Sequence, residues 1–173
     1  MENYNELYHY GIKGMKWGVR RYQNKDGTLT PRGKKRLAAL ETVRENEAAR
    51  YRKMADSEEQ SFKDYKSYIK DLQSDKNNTR LRSMLGVNND KDAIDIYGSN
   101  ISELKRGEIE YANHKANVSR DRVEAYVNAN KALLVMDLSD LSIKQKDVIN
   151  LGKSTVSNTF ISQLGKDDVK YYD

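Results

Sequence analysis

Catalysis or metal binding by this chain would depend on few side chains, because the sequence contains two histidines and no cysteine. His9 lies near the N-terminus, and His114 follows Glu110 by one turn of a predicted helix. The lack of cysteine excludes thiolate zinc sites and disulfide frameworks, and two separated histidines are a poor basis for a metal centre. No serine stands in a context typical of a nucleophile. The sequence therefore predicts a protein that is not an enzyme and uses no cofactor.

Two short motifs resemble ligand-binding loops but lack essential positions. The run Gly152–Thr155 (GKST) has the form of the end of a phosphate-binding loop, yet Asp147 stands where the first glycine of that loop is needed. The acidic stretch 90–95 resembles the start of a calcium-binding loop, but Asp95 and Ile101 occupy its sixth and twelfth positions. We expect neither site, and interpret the acidic stretch as the first turn of a helix.

The composition favours a thin helical protein over a thick globular enzyme. Only about a fifth of the 173 residues are Leu, Ile, Val or Phe, while charged residues make up 33%. Ten glycines and one proline are too few for a turn-rich β-sandwich. No apolar run approaches the roughly 20 residues of a membrane span, so no membrane association is expected.

The helical pattern begins at Thr30-Pro31, where threonine can cap a helix that starts with proline. The apolar pattern predicts a helical body over 31–164, with helices at about 31–75, 91–138 and 142–164 and a short apolar turn between the first two. The predicted seam residues of the second helix are Ile94, Tyr97, Ile101, Leu104, Glu108, Tyr111, Lys115 and Val118. Gly165 is expected to end the third helix and to begin a tail over 165–173.

These elements predict an all-α fold, an elongated helical hairpin or coiled-coil-like bundle with a basic, glycine-rich N-terminal arm over 1–30. Two of its helices are expected to exceed 35 residues. The apolar stripes are narrow, which favours a homo-oligomer or a larger partner. The alternative is a monomeric three-helix bundle. Residues 1–36 carry nine Lys or Arg and three acidic residues, whereas the rest of the chain is nearly balanced.

The segment 9–36 (HYGIKGMKWGVRRYQNKDGTLTPRGKKR) resembles a segment found in many otherwise dissimilar proteins of tailed bacteriophages and prophages. The residues that fit its first part are His9, Tyr10, Gly11, Lys13, Gly14, Met15, Lys16, Trp17, Gly18, Arg20 and Arg21. The residues that fit its continuation are Asn24, Asp26, Gly27, Leu29, Thr30, Gly33, Lys34 and Arg36. The resemblance implies a phage protein, located in the virion or the host cytoplasm, often of the head or another structural part.

The first part of this segment has the physical character of a docking peptide. Its glycines allow close backbone approach, and Ile12, Met15, Trp17 and Val19 are too few to fold alone but enough to anchor in a pocket. Arginines at its end can pair with acidic groups or phosphates. We therefore predict that the eleven residues of the first part bind a partner, such as a phage head or portal protein. The alternative is that the segment folds back and covers one end of the bundle.

The function predicted from the sequence is that of a non-enzymatic phage structural or assembly-associated protein, docked through its N-terminal motif to a head component. A second hypothesis is a small phage effector that binds a host protein or nucleic acid and counters host defence. The basic arm, with Tyr8, Tyr10, Trp17 and Tyr22 interleaved among its cations, could hold single-stranded nucleic acid by charge and stacking.

Overall fold

The computed structural model describes residues 21–24 and 26–167, with the backbone alone for residues 164–167. This part of the chain folds into five helices: α1 (Pro31–Ser74), α2 (Thr79–Leu85), α3 (Asp90–Tyr97), α4 (Ile101–Leu134) and α5 (Gln145–Asp167). An isolated β-bridge joins Gln23 to Leu29, and the described residues contain no longer strand pairing. The all-α prediction is confirmed.

The long helix α1 begins and ends almost where the sequence predicts. The Thr30 hydroxyl accepts a hydrogen bond of 3.0 Å from the Gly33 N–H, and Pro31 occupies the first turn. The helix runs for 44 residues, which corresponds to about 66 Å. Its buried positions include Leu40, Ala48 and Tyr51, so the predicted apolar stripe faces the interior.

The predicted helix over 91–138 is wrong, because the chain forms two helices there. Gly98 adopts a φ of +73°, a left-handed conformation that ends α3. Asn100 then starts α4 with a capping box: its side chain accepts from the Glu103 N–H at 3.0 Å, and the Glu103 carboxylate accepts from the Asn100 N–H at 3.3 Å. Since α4 ends at Leu134 after 34 residues, α1 is the one described helix that exceeds 35 residues.

The buried faces of α3 and α4 differ in part from the predicted seam, of which Ile101 is buried as predicted. Ile94, Tyr97 and Tyr111 are 51%, 45% and 54% exposed, although the heptad pattern places them in the core. The side chains of α4 that are buried are mostly small: Ile101, Ala112, Ala116, Ser119, Ala125, Ala129 and Leu133. Because the distance between packed helices depends on the side chains at the contact, this stripe lets α1 and α5 lie close to α4.

The third long helix begins at Gln145, three residues after the predicted start, and passes through Gly165 to Asp167. The expectation that Gly165 ends it is wrong, since glycine lowers helix stability by only about 1 kcal/mol and ends a helix where its backbone turns left-handed. The helix runs antiparallel to α4, since Gln163 donates to the Asp121 carbonyl and the earlier Thr159 accepts from the later Asn128. It also packs against α1, so the chain itself supplies the third helix along this part of the hairpin.

Two hydrophobic cores lie along the hairpin of α1 and α4. The arm-end core joins the first half of α1, the last part of α4 and α5 around Leu40, Ala48, Tyr51, Ala129, Leu133, Leu138, Leu141 and Val148. The tip core joins the other ends of α1 and α4 to α2 and α3 around Leu72, Leu81, Val87, Ala93 and Ile101. Among the described helices, none is both long and apolar enough to span a membrane.

Candidate functional site

Residues 21–24 and 26–30 form a turn that lies on the arm-end core. Tyr22 and Leu29 pack against that core from opposite sides of the turn. The Thr30 N–H donates to the Tyr22 carbonyl at 2.9 Å, and the Asn24 N–H donates to the Thr28 carbonyl at 2.7 Å. These hydrogen bonds tie the described end of the predicted arm to the start of α1.

The tip of this turn is the Asp26-Gly27 pair that the sequence predicts as a turn. Gly27 has a φ of +84°, which a residue with a Cβ rarely adopts. The Asp26 carboxylate accepts from the Thr28 hydroxyl at 2.7 Å and from the Thr28 N–H at 3.0 Å. Both hydrogen bonds favour the ionised form, so they hold the pKa of Asp26 below its usual range.

Two residues of α1 attach the turn to the bundle. Gly33 lies directly under the backbone of Tyr22, and a Cβ at this position would overlap the Tyr22 carbonyl oxygen. Arg36 places its guanidinium 5.2 Å from the centroid of the Tyr22 ring. The same guanidinium donates from Nε and Nη2 to the carbonyls of Leu141 and Ile143, each at 2.6 Å. A single side chain therefore joins the turn, α1 and the α4–α5 connection.

A groove of about 270 Å³ opens beside this attachment. Its cationic lining residues are Arg32, Lys35 and Arg36. Its neutral lining residues are Tyr22, Ala39, Leu40 and Gln145. Arg32 and Lys35 are exposed to solvent. Neither forms a salt bridge with another described residue. The groove is therefore cationic, with an apolar floor.

The predicted partner-binding residues fall almost entirely outside the described residues. Arg21 is the exception: its side chain is exposed, and its carbonyl accepts from the Thr30 hydroxyl at 3.1 Å. The residues outside are His9, Tyr10, Gly11, Lys13, Gly14, Met15, Lys16, Trp17, Gly18 and Arg20. The last residue of the motif, Arg21, therefore lies beside the arm-end core, and the motif joins the helical body there.

The motifs that resemble ligand-binding loops have structural roles instead. The run Gly152–Thr155 lies inside α5, where its backbone N–H groups belong to the helix. Asp90 and Asp92 lie in the first turn of α3, and the Asn89 side chain accepts from the Asp92 N–H at 3.0 Å. His114 is exposed on α4. Over residues 21–24 and 26–167, no group of three or more His, Cys, Asp or Glu could hold a metal ion.

The groove is not among the sites predicted from the sequence, although three of its cations lie close together on α1. Arg32, Lys35 and Arg36 share the i, i+3, i+4 spacing of one helix face, so their proximity was readable once α1 was predicted. Gln145 and the half-buried Tyr22 reach the groove through tertiary contacts, for which the sequence carries no local signal.

Comparison with known proteins identifies one related segment. A family of unknown function (DUF7211) matches residues 3–24, the part of the chain that contains the predicted docking motif. No curated protein and no solved structure matches the chain. The similarity therefore covers the arm and stops inside the turn that attaches it to the helical body.

Proposed function

We propose that this chain is a non-enzymatic docking protein of a bacteriophage, which binds a head or portal component through its N-terminal motif. The helical body carries the motif at one end and extends away from the docked partner. In this function the eleven motif residues from His9 to Arg21 form the contact, with Trp17 as its largest apolar anchor. The protein acts in the virion or during its assembly in the host cytoplasm.

The observation that carries this proposal is that the family match ends before the helical body begins. The match stops at residue 24, and the turn that attaches the arm to the body spans 21–30. A family model that covers residues 3–24 and not the helical body describes this segment as a sequence unit of its own. A unit of about 20 residues with few apolar groups cannot bury a core alone, so its natural role is to bind something else.

The attachment of the turn supports the same function. A docking arm anchors its body only if the junction between them resists unfolding. Here the junction is held by the Tyr22–Thr30 hydrogen bond, by the close contact at Gly33 and by Arg36. Binding at the motif is thereby coupled to α1 and to the α4–α5 connection.

Substitution of Trp17 tests this function. We expect Trp17→Ala to remove the protein from purified phage particles and procapsids, as judged by mass spectrometry, with an unchanged melting temperature. The matched control is Tyr111→Ala, which truncates an exposed aromatic residue of α4 and should leave incorporation intact. Wild-type levels of the Trp17→Ala protein in particles would contradict the proposal. A stability loss of roughly 3–5 kcal/mol would instead show that the motif covers the bundle.

A further inference from the structure

We infer that the cationic groove beside the arm binds an acidic, partly apolar peptide segment of the docked partner. This inference rests on the proposed function, because it gives the partner a second contact next to the motif. Its basis lies in the described residues: Arg32 and Lys35 flank the groove with exposed charges, and Ala39 and Leu40 contribute an apolar floor.

The charge of the groove selects an anionic occupant. All charged residues that line it are cations. The neighbouring positions of α1 add one cation, Lys34, and one acidic residue, Glu41, so the charge comes from the lining itself. Arg36 is already engaged by two carbonyls, so Arg32 and Lys35 are the groups that offer hydrogen bonds to a ligand. An arginine and a lysine one helical turn apart match two carboxylates spaced along a peptide.

The dimensions of the groove favour a peptide over a nucleic acid. Binding of single-stranded nucleic acid combines a long basic track with exposed aromatic faces for the bases. Here the aromatic ring of Tyr22 is half-buried, and the Arg36 guanidinium lies over it. A groove of about 270 Å³ accommodates a few side chains and not a run of nucleotides.

The part of the arm that adjoins the groove is a poor occupant, whereas residues 1–8 carry Glu2 and Glu6 and are the occupant from this chain that the melting-temperature measurement below distinguishes. Residues 9–20 carry Lys13, Lys16 and Arg20 without an acidic residue, so they have the same sign of charge as the groove.

The test measures binding of a fluorescein-labelled ten-residue peptide that alternates glutamate with leucine, by fluorescence anisotropy on the full chain. We expect binding that weakens with salt, and a loss of affinity of about tenfold or more in Arg32→Glu/Lys35→Glu. The control variant Lys70→Glu/Lys91→Glu makes the same change of net charge at exposed lysines of α1 and α3 and should bind normally. A peptide with glutamine in place of glutamate should not bind.

Equal loss of affinity in both double variants would overturn the inference, since it would show attraction to net charge alone. Equal binding of the glutamine peptide, or displacement of the acidic peptide by oligothymidylate, would overturn it as well. A lower melting temperature of Arg32→Glu/Lys35→Glu would show that an acidic segment of the chain itself fills the groove. Trp17→Ala should bind the peptide normally, so failure of the motif and failure of the groove are distinguishable.

Discussion

At the scale of single residues, two helical glycines differ in the space available for a side chain, so substitution by alanine should have opposite effects on stability. Gly152 in α5 faces the ring of Tyr51, and a Cβ there would lie 2.5 Å from the Cε2 atom of that ring. Tyr51 is 4% exposed and belongs to the arm-end core, so its ring has no free direction in which to move. Gly107 in α4 has no atom within 4 Å of the corresponding position.

We therefore expect Gly152→Ala to lower the free energy of unfolding by about 1–3 kcal/mol, the usual cost of overpacking a core. Gly107→Ala should raise it by about 0.5–1 kcal/mol, because alanine loses less backbone entropy in a helix. Urea denaturation of both variants measures the difference. A similar gain from both substitutions would contradict the close packing of α5 on α1.

At the scale of helices, capping residues and first-turn residues predicted the helix starts correctly where no competing apolar pattern ran across the boundary. The Thr30-Pro31 start of α1 and the acidic first turn of α3 are local, and both are confirmed. The break between α3 and α4 was also readable from Gly98 and the capping box of Asn100 and Glu103. The apolar heptad pattern continues across that break, and by itself it predicts one continuous helix.

The choice of buried face could not be predicted in the same way. A heptad pattern assigns the large apolar residues to the core, but alanines fill that role along most of α4. Which face is buried depends on how closely α1 and α5 approach, and this distance is set by tertiary packing. The attachment site shows the same limit: the turn at Asp26-Gly27 was predicted, whereas the bonds of Arg36 to a connection more than a hundred residues away were not.

The connections at the arm end should respond to acid. Asp26, Asp137 and Asp140 each accept hydrogen bonds from the residue two positions later, and these bonds hold the pKa of each carboxyl below its ordinary value of 3.8. A lowered folded pKa contributes stability that is present above the unfolded pKa and is lost as the pH falls through the folded value. We therefore expect both connections to loosen below about pH 4.

Amide hydrogen exchange at Thr28, Ser139 and Ser142, corrected for the intrinsic pH dependence of exchange, measures this loosening. Asp26→Asn keeps a side-chain acceptor but cannot titrate, so protection of the Thr28 amide should become independent of pH in that variant. The same acid-induced loss at Thr28 in Asp26→Asn would show that the carboxylate is not its cause.

At the scale of the whole molecule, the long axis of α1 sets the size of the particle in solution. A compact chain of 173 residues has a radius of gyration of about 16 Å, whereas a body built along a 66 Å helix should exceed about 20 Å. Small-angle scattering measures this value, and the mass from the same curve reports the oligomeric state. A value near 16 Å at a monomer mass would contradict the extended hairpin.

The oligomer expected from the narrow stripes stays a prediction. The structure accounts for part of the expectation, since α5 packs on both α1 and α4 and covers part of their apolar stripes. The remaining large apolar residues on the surface of the tip are Met84, Ile94, Ile96 and Tyr97. A mass of 20.0 kDa at high concentration would contradict self-association.

Because the arm-end core and the tip core are separate, insertions between them can change the length of the hairpin. Between them, α1 and α4 meet through small side chains such as Ala55, Ala112 and Ala116. Seven residues added to each helix in this region would restore the same facing positions and move the tip outward by about 10 Å. Neither core and no contact of the arm would change. Proteins with this fold can therefore differ in the length of the helical hairpin by whole heptads and keep the same attachment of the N-terminal arm.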